Sequence, residues 1–313
     1  MKSYALNQCP LFKMASRRKL ASLLGFDAGV LQTLANRTTN YLCFDIAQGS
    51  KKRRVEVPKR ALERVHRRLF ALLERIEKPD YLHSGRKKRS YITNAQVHTG
   101  LAPLVKLDLK KFYPSVASSR IYRFFNEVLL CSCDVAAILT KLCTVDGHLP
   151  TGSCISQLLA FFAAKPMFDE LHEYSFKLGN RDSCYVDDLT WSGSNATPAF
   201  LWAAKQIVHR HGFKYHKDLV YRADQQKVVT GVLISGGELT VQRSREHELW
   251  RSIHALGGQD PAKRLKAIDS LIGKVIANGQ IENRFLLRVQ GLRARRVMLM
   301  GSRAEVVSSL QRG

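Results

Sequence analysis

Between residues 59 and 77 the apolar positions Leu62, Val65, Leu69, Leu72, Leu73 and Ile76 recur at helical spacing, while Arg60, Arg64, Arg67, Arg68 and Arg75 fall mostly on the remaining surface. An amphipathic helix with a basic exterior is predicted there. Leu104 to Leu109 reads as a strand, and beyond Pro114 the positions Ile121, Phe124, Phe125, Val128 and Leu129 follow a helical repeat, which puts Asp108 at a strand end. A second apolar helix is predicted from about Ser156 to Tyr174. Residues 183 to 192 read as two short strands meeting at Val186-Asp187-Asp188, because β-formers (Tyr185, Val186, Thr190, Trp191) flank the acidic pair. Two carboxylates therefore sit at a hairpin tip. Val228 to Ile234 and Glu238 to Gln242 form another hairpin, its turn supplied by Gly236-Gly237. After residue 244 the periodicity is helical only, over 244–256, 261–278 and 281–300, with Asn278-Gly279 as a break. The chain carries no internal repeat and no low-complexity run.

Charge adds a partner to this picture. The 313 residues hold 50 Lys and Arg against 26 Asp and Glu, a formal charge of +24. That surplus is spread along the chain and costs self-repulsion that a polyanion would relieve, so nucleic acid is the expected partner. The final helices contribute Lys263, Arg264, Lys266, Lys274, Arg284, Arg288, Arg293, Arg295 and Arg296, a surface suited to a phosphate backbone. Seven cysteines show no CxxC spacing, the opening residues lack the apolar core of a signal peptide, and the longest apolar run, Leu158 to Ala164, is far too short to cross a bilayer. A reduced, cytoplasmic protein without a membrane segment is expected.

Phosphoryl transfer by two metals needs carboxylates from separate segments converging on two Mg²⁺ ions roughly 4 Å apart. Asp108 and the Asp187-Asp188 pair meet that demand. An Asp-Asp pair alone is commonplace in turns, but here Tyr185-Val186-Asp187-Asp188 is preceded in order by Leu107-Asp108-Leu109-Lys110-Lys111-Phe112-Tyr113-Pro114-Ser115 and Leu149-Pro150-Thr151-Gly152-Ser153. From about residue 50 to 245 the chain resembles the reverse transcriptases. That resemblance implies an α+β right-hand polymerase fold: an N-terminal helical extension over 1–50, fingers and an antiparallel palm sheet backed by helices over 51–243, and a helical, RNA-binding thumb over 244–313. It makes Asp108, Asp187 and Asp188 the catalytic metal ligands, with the Leu109 carbonyl as a further donor to two Mg²⁺ ions. It makes Tyr113 the residue that screens the sugar 2′ position, and Arg53, Arg60 and Lys217 the groups that approach the triphosphate of a dNTP. Thr151 and Gly152 would lie near the nucleotide.

Asn94-Ala95-Gln96-Val97-His98 and Val229-Thr230-Gly231 narrow the resemblance to bacterial retron reverse transcriptases. What this implies is a structured noncoding RNA serving as template and primer, copied into RNA-linked DNA, and a separate effector protein in anti-phage defence. RNA contacts would come from Asn94, His98, Val229, Thr230, Gly231, Lys263, Arg264 and Arg288. There are departures: Thr151 stands where the family carries glutamine, and Ser153-Cys154-Ile155-Ser156-Gln157 replaces the commoner SPTSP-like run. The Ser156-Gln157 ending keeps diversity-generating-retroelement enzymes as an alternative. A catalytically idle RNA-binding scaffold is the alternative from another class, and three carboxylates concentrated in a basic protein count against it.

Overall fold

The computed structural model describes residues 3–49, 51–258 and 261–310. In chain order its elements are α1 (Arg17–Leu24), α2 (Ala28–Asn36), β1 (Tyr41–Gln48), β2 (Lys51–Pro58), α3 (Arg60–Leu73), α4 (Tyr91–Gln96), β3 (Leu104–Leu109), α5 (Phe112–Ser115), α6 (Ser118–Arg123), α7 (Cys133–Cys143) and α8 (Ser156–Lys177). There follow β4 (Arg181–Tyr185), β5 (Asp188–Ser192), α9 (Pro198–Arg210), β6 (Tyr215–Tyr221), β7 (Lys227–Val229), β8 (Val232–Ser235), β9 (Glu238–Thr240), α10 (Arg243–His254), α11 (Pro261–Gly279) and α12 (Leu287–Leu310). Helices and sheets are thus mixed, as the α+β expectation has it. The chain divides into two compact units, residues 1–90 with 103–220 and residues 91–102 with 221–313.

The first unit is built on a four-stranded sheet in the order β4-β5-β3-β6, with β5 antiparallel to both β3 and β4. Its strands are short and β-rich, and the faces turned inward carry Leu107, Leu109, Cys184, Leu189 and Trp191, all buried. Helix α8 packs against β4 and α9 against β3. Buried positions ring α8 (Leu158, Leu159, Phe161, Phe162, Met167, Phe168 and Leu171), so it is a central helix and not a surface one. Aromatic contacts knit it to its neighbours: Phe124 stacks on Phe162 at 5.1 Å and Phe112 meets Phe168 edge-on at 6.0 Å. Helix starts are capped as their sequences suggest, with Ser16 before α1, Asp27 before α2 and Thr197 before Pro198 in α9.

One N-terminal expectation needs correction. Residues 1–50 are not helical throughout, because Tyr41–Gln48 forms β1 and pairs antiparallel with the basic strand β2. The alternation Leu42, Phe44, Ile46 is a strand pattern, and it escaped notice because these three side chains are exposed instead of facing a core.

The second unit has its own core, made by Val241, Leu249, Leu256, Ile268, Leu271, Val275, Phe285, Val289 and Leu292. The three-stranded sheet β7-β8-β9 and the helices α10, α11 and α12 belong to it, and so does α4, which is distant in sequence. Several bonds tie residues 91–102 to the later chain. Tyr91 Oη donates to the Ala277 carbonyl at 3.3 Å, and buried Lys227 donates through Nζ to the carbonyls of Gly100 and Ala102 at 3.1 and 2.6 Å. The hairpin preceding residue 244 therefore shares a unit with the helices that follow it.

Candidate active site

Antiparallel register places Asp108 on β3 directly opposite Asp188 on β5, and Asp188 is in turn opposite Tyr185 on β4. A two-residue turn, Val186-Asp187, therefore joins β4 to β5. Val186 has φ +60°, which the first position of a II′ turn requires and which a β-branched residue adopts only under strain. Surrounding contacts hold it there. Ser84 Oγ accepts from Val186 N at 2.9 Å, Cys184 N donates to Tyr81 O at 2.7 Å and His83 N donates to Cys184 O at 2.9 Å, so residues 81–84 clamp the β4 side of the turn. On the other side Leu109 N donates to the Asp187 carbonyl at 3.0 Å. Asp187 is thereby fixed beside the end of β3.

The electrostatics follow from this crowding. Burial, then Asp108 and Asp188, push the Asp187 carboxyl up to about 6 from an ordinary 3.8. Asp108 is also raised, first by burial and then by Asp188, against the opposing pull of His216, Lys217 and Lys106. His216 Nδ1 lies 3.5 Å from Asp108 Oδ1. β6, which carries His216 and Lys217, is braced from α9: Lys205 pairs with Asp218 at 2.8 Å and His209 stacks on Tyr215 at 5.3 Å. The half-buried Tyr113 hydroxyl is pushed up to about 12 by burial and by Asp187, with Arg53 opposing. One neighbourhood thus gathers Asp108, Leu109, Asp187, Asp188, Tyr113, Arg53 and Lys217. Arg60 is exposed in the first turn of α3, outside this set.

As placed, the aspartates do not close into a cage, and among the described residues no three His, Cys, Asp or Glu side chains are set to hold a metal ion. The residue types fit one nonetheless. Carboxylate and carbonyl oxygens are the hard donors that Mg²⁺ takes, and carboxyls that raise one another mark a concentration of negative charge that a divalent cation neutralises.

Thr151 and Gly152 are turned toward β2. Thr151 Oγ1 donates to the Arg54 carbonyl at 2.9 Å, Thr151 N donates to Glu56 Oε2 at 3.2 Å and Gly152 N donates to the Glu56 carbonyl at 3.1 Å. A Cβ at Gly152 would lie 2.8 Å from that carbonyl oxygen, so only glycine permits the approach. These bonds fasten the 149–152 loop onto the basic strand, with Thr151 and Gly152 both half-buried. Glu56, which accepts the bonds from Thr151 N and Gly152 N and another from His148 Nε2 at 3.1 Å, was not anticipated. Its signal was available: it is the one acid in the run Lys51 to Arg60. Nothing in the sequence marked Ser84.

In the second unit, Thr230 and Gly231 form the two-residue turn between β7 and β8, with φ +45° and +80°. That is the I′ pattern, strained at threonine. Thr230 Oγ1 donates to the Tyr91 carbonyl at 2.7 Å and accepts from Asn94 Nδ2 at 3.5 Å. The Asn94–His98 and Val229–Gly231 elements are therefore two halves of one clasp. Asn94, His98 and Val229 are buried, which corrects their expected place among the RNA contacts and makes them framework. Lys263 is exposed on α11, and Arg264 and Arg288 are half-buried.

No family model matches the chain. It is 30% identical to the retron Se72 reverse transcriptase of Salmonella heidelberg over 187 residues, 57% of this chain and 48% of that protein. It is 28% identical to the retron Mx65 reverse transcriptase of Myxococcus xanthus over 286 residues, 82% of this chain and 66% of the relative. With the retron Ec86 reverse transcriptase of Escherichia coli it shares 25% over 190 residues, 58% of each. The chain thus spans from about half to two thirds of these relatives' lengths. Among solved structures, apo telomerase from Candida tropicalis truncated from its C-terminal domain aligns at a TM-score of 0.48 and 11% identity, over 69% of this chain and 61% of that one, a likeness too distant to argue from. No helix among the described residues is long and apolar enough to cross a membrane. By sequence, the chain is a relative of the bacterial retron reverse transcriptases.

Proposed function

We propose that this chain is an RNA-directed DNA polymerase of a retron. The observation that carries the reading is the convergence of Asp108, Asp188 and Asp187 at one strand end and turn, beside Tyr113, Arg53 and Lys217. Two bound Mg²⁺ ions would supply activation of the attacking hydroxyl and charge neutralisation at the leaving group. Asp108, Asp187 and Asp188 would hold them, with the Leu109 carbonyl. Arg53 and Lys217 neutralise the triphosphate of the incoming dNTP. Tyr113 packs against its sugar and excludes a 2′-hydroxyl. The 149–152 loop keeps β2 in place, and thus Arg53.

The similarity to retron enzymes supports a structured noncoding RNA as both template and primer, DNA joined to that RNA through a 2′ oxygen, and an effector protein in phage defence. A hydroxyl within a folded RNA attacks only when held in line with the α-phosphate, so the RNA must be positioned by shape. Magnesium-dependent incorporation of dNTPs by the purified protein tests the polymerase, and its absence would favour the idle scaffold. Ribonuclease digestion of the copurified product tests the retron assignment. A ribonucleotide left on the DNA 5′ end through its 2′ oxygen is expected, and DNA started only from ordinary 3′ ends would refute it.

A further inference from the structure

Helix α10 packs Leu249 and Ile253 into the core of the second unit. A stripe flanking that face, at i, i+4, i+7 and i+11, reads Arg243, His247, Trp250 and His254, all exposed. Trp250 keeps 40% of its surface open. His254 stacks beside it, ring centroids 6.2 Å apart and planes within 26°, and the Arg288 guanidinium of α12 lies over the indole at 4.1 Å. Arg288 Nη1 is buried without a hydrogen-bond partner among the described residues, and the guanidinium rests on the indole ring. The carboxylates of α10 are engaged elsewhere, Glu246 with Arg284 at 3.0 Å and Glu248 with Lys274 at 2.7 Å.

We propose that this stripe, Arg243-His247-Trp250-His254 braced by Arg288, is a stacking site for the unpaired bases of single-stranded nucleic acid. Planar rings in file along one helix face present successive surfaces to bases, and flanking cations meet the backbone between them. A duplex keeps its bases stacked inside and has no face to offer, so the site discriminates strand from duplex, which a field of lysines would not do. The choice of ligand rests on reading the chain as a nucleic-acid enzyme. The test does not need catalysis, since binding is measured in EDTA without dNTPs.

The experiment uses the full chain and labelled oligoadenylate, alone or annealed to oligouridylate, followed by fluorescence anisotropy across a salt series. Trp250→Ala should weaken binding of the single strand by about tenfold or more. Duplex affinity should hold, and so should the slope of log K against log salt, because a lost stack releases no counterions. Trp250→Phe should recover most of the loss. Oligodeoxyadenylate distinguishes the sources: equal loss assigns the site to bases on either sugar, and loss on the ribose strand alone assigns it to RNA. Unchanged single-strand binding, or equal loss on strand and duplex, overturns the proposal. If Trp250→Ala does not fold, the exposed pair His247→Ala with His254→Ala carries the test, and undiminished single-strand binding in that variant is again fatal. Failure of wild-type protein to incorporate dNTPs would remove the polymerase reading and leave these binding outcomes standing.

Discussion

Asp187→Asn removes a carboxylate that the fold holds in a buried turn beside two others, and the same change should abolish DNA synthesis while making the free protein more stable. The rise from 3.8 to about 6 means that ionising Asp187 is harder in the folded chain than in the unfolded one. At 1.36 kcal/mol for each factor of ten in proton affinity this is about 3 kcal/mol as an upper bound, and about 1–2 kcal/mol once solvent screening of a partly exposed group is allowed for. The sign follows from linkage. The protonated carboxyl is favoured by the fold, so its stability is fully present below pH ~4 and is lost as the pH rises through the folded value of about 6. Asparagine never ionises, so the variant should gain over wild type progressively between about pH 4 and pH 6 and keep a constant advantage above. Thermal unfolding of both proteins in EDTA across that range is the assay. Adding Mg²⁺ should then stabilise wild type more than the variant, because binding to the native state alone raises stability by mass action. A variant that is less stable at pH ~8, or a difference that does not change with pH, would refute the argument that crowded carboxylates are the cost at this turn.

Other expectations are simpler to check. If Tyr113 screens the sugar as proposed, Tyr113→Val should admit ribonucleotides, and unchanged discrimination between ribose and deoxyribose substrates would return Tyr113 to the core. Gly152→Ala forces a Cβ to within 2.8 Å of the Glu56 carbonyl oxygen and should cost roughly 1–3 kcal/mol in denaturant unfolding; full stability would mean the loop is not fastened to β2. Thr230→Val keeps the shape of the clasp but removes the bond to Tyr91 O, for about 1 kcal/mol, and equal stability would detach Thr230 from it. RNA affinity should fall linearly in log K against log salt, with salt-insensitive binding counting against the basic surface.

The helices and the acidic hairpin were legible because their signals are local. Leu62 to Ile76 shows a period, and Tyr185 to Asp188 shows β-formers around acids, so α3 and the β4-β5 turn fall where the pattern puts them. The opposition of Asp108 and Asp188 was readable only through the ordered motifs, since register between strands some eighty residues apart is not written in either strand. β1 was missed because its apolar alternation faces outward. Asn94 and Val229 take ligand contacts from their position in a motif, whereas their burial, which depends on neighbours far along the chain, places them in the framework. Ser84 clamps Val186 through a single hydroxyl, and a lone serine in a loop carries no advance sign of that.

Residues 91–102 complete the second unit although their partners begin at residue 221. On the ribosome this short segment emerges well before anything it can bind, and at ~5–20 residues per second it waits for roughly ten seconds while the rest of the first unit is made. Until those partners are made, the polar groups of Tyr91 and Asn94 and the carbonyls later capped by Lys227 are bonded to water alone, and the segment gains its fold only when residues 227–277 arrive. The same interleaving means that neither unit can be expressed alone by cutting the gene once. A transplant of the second unit must carry residues 91–102 with it, and a truncation at 220 would strand them.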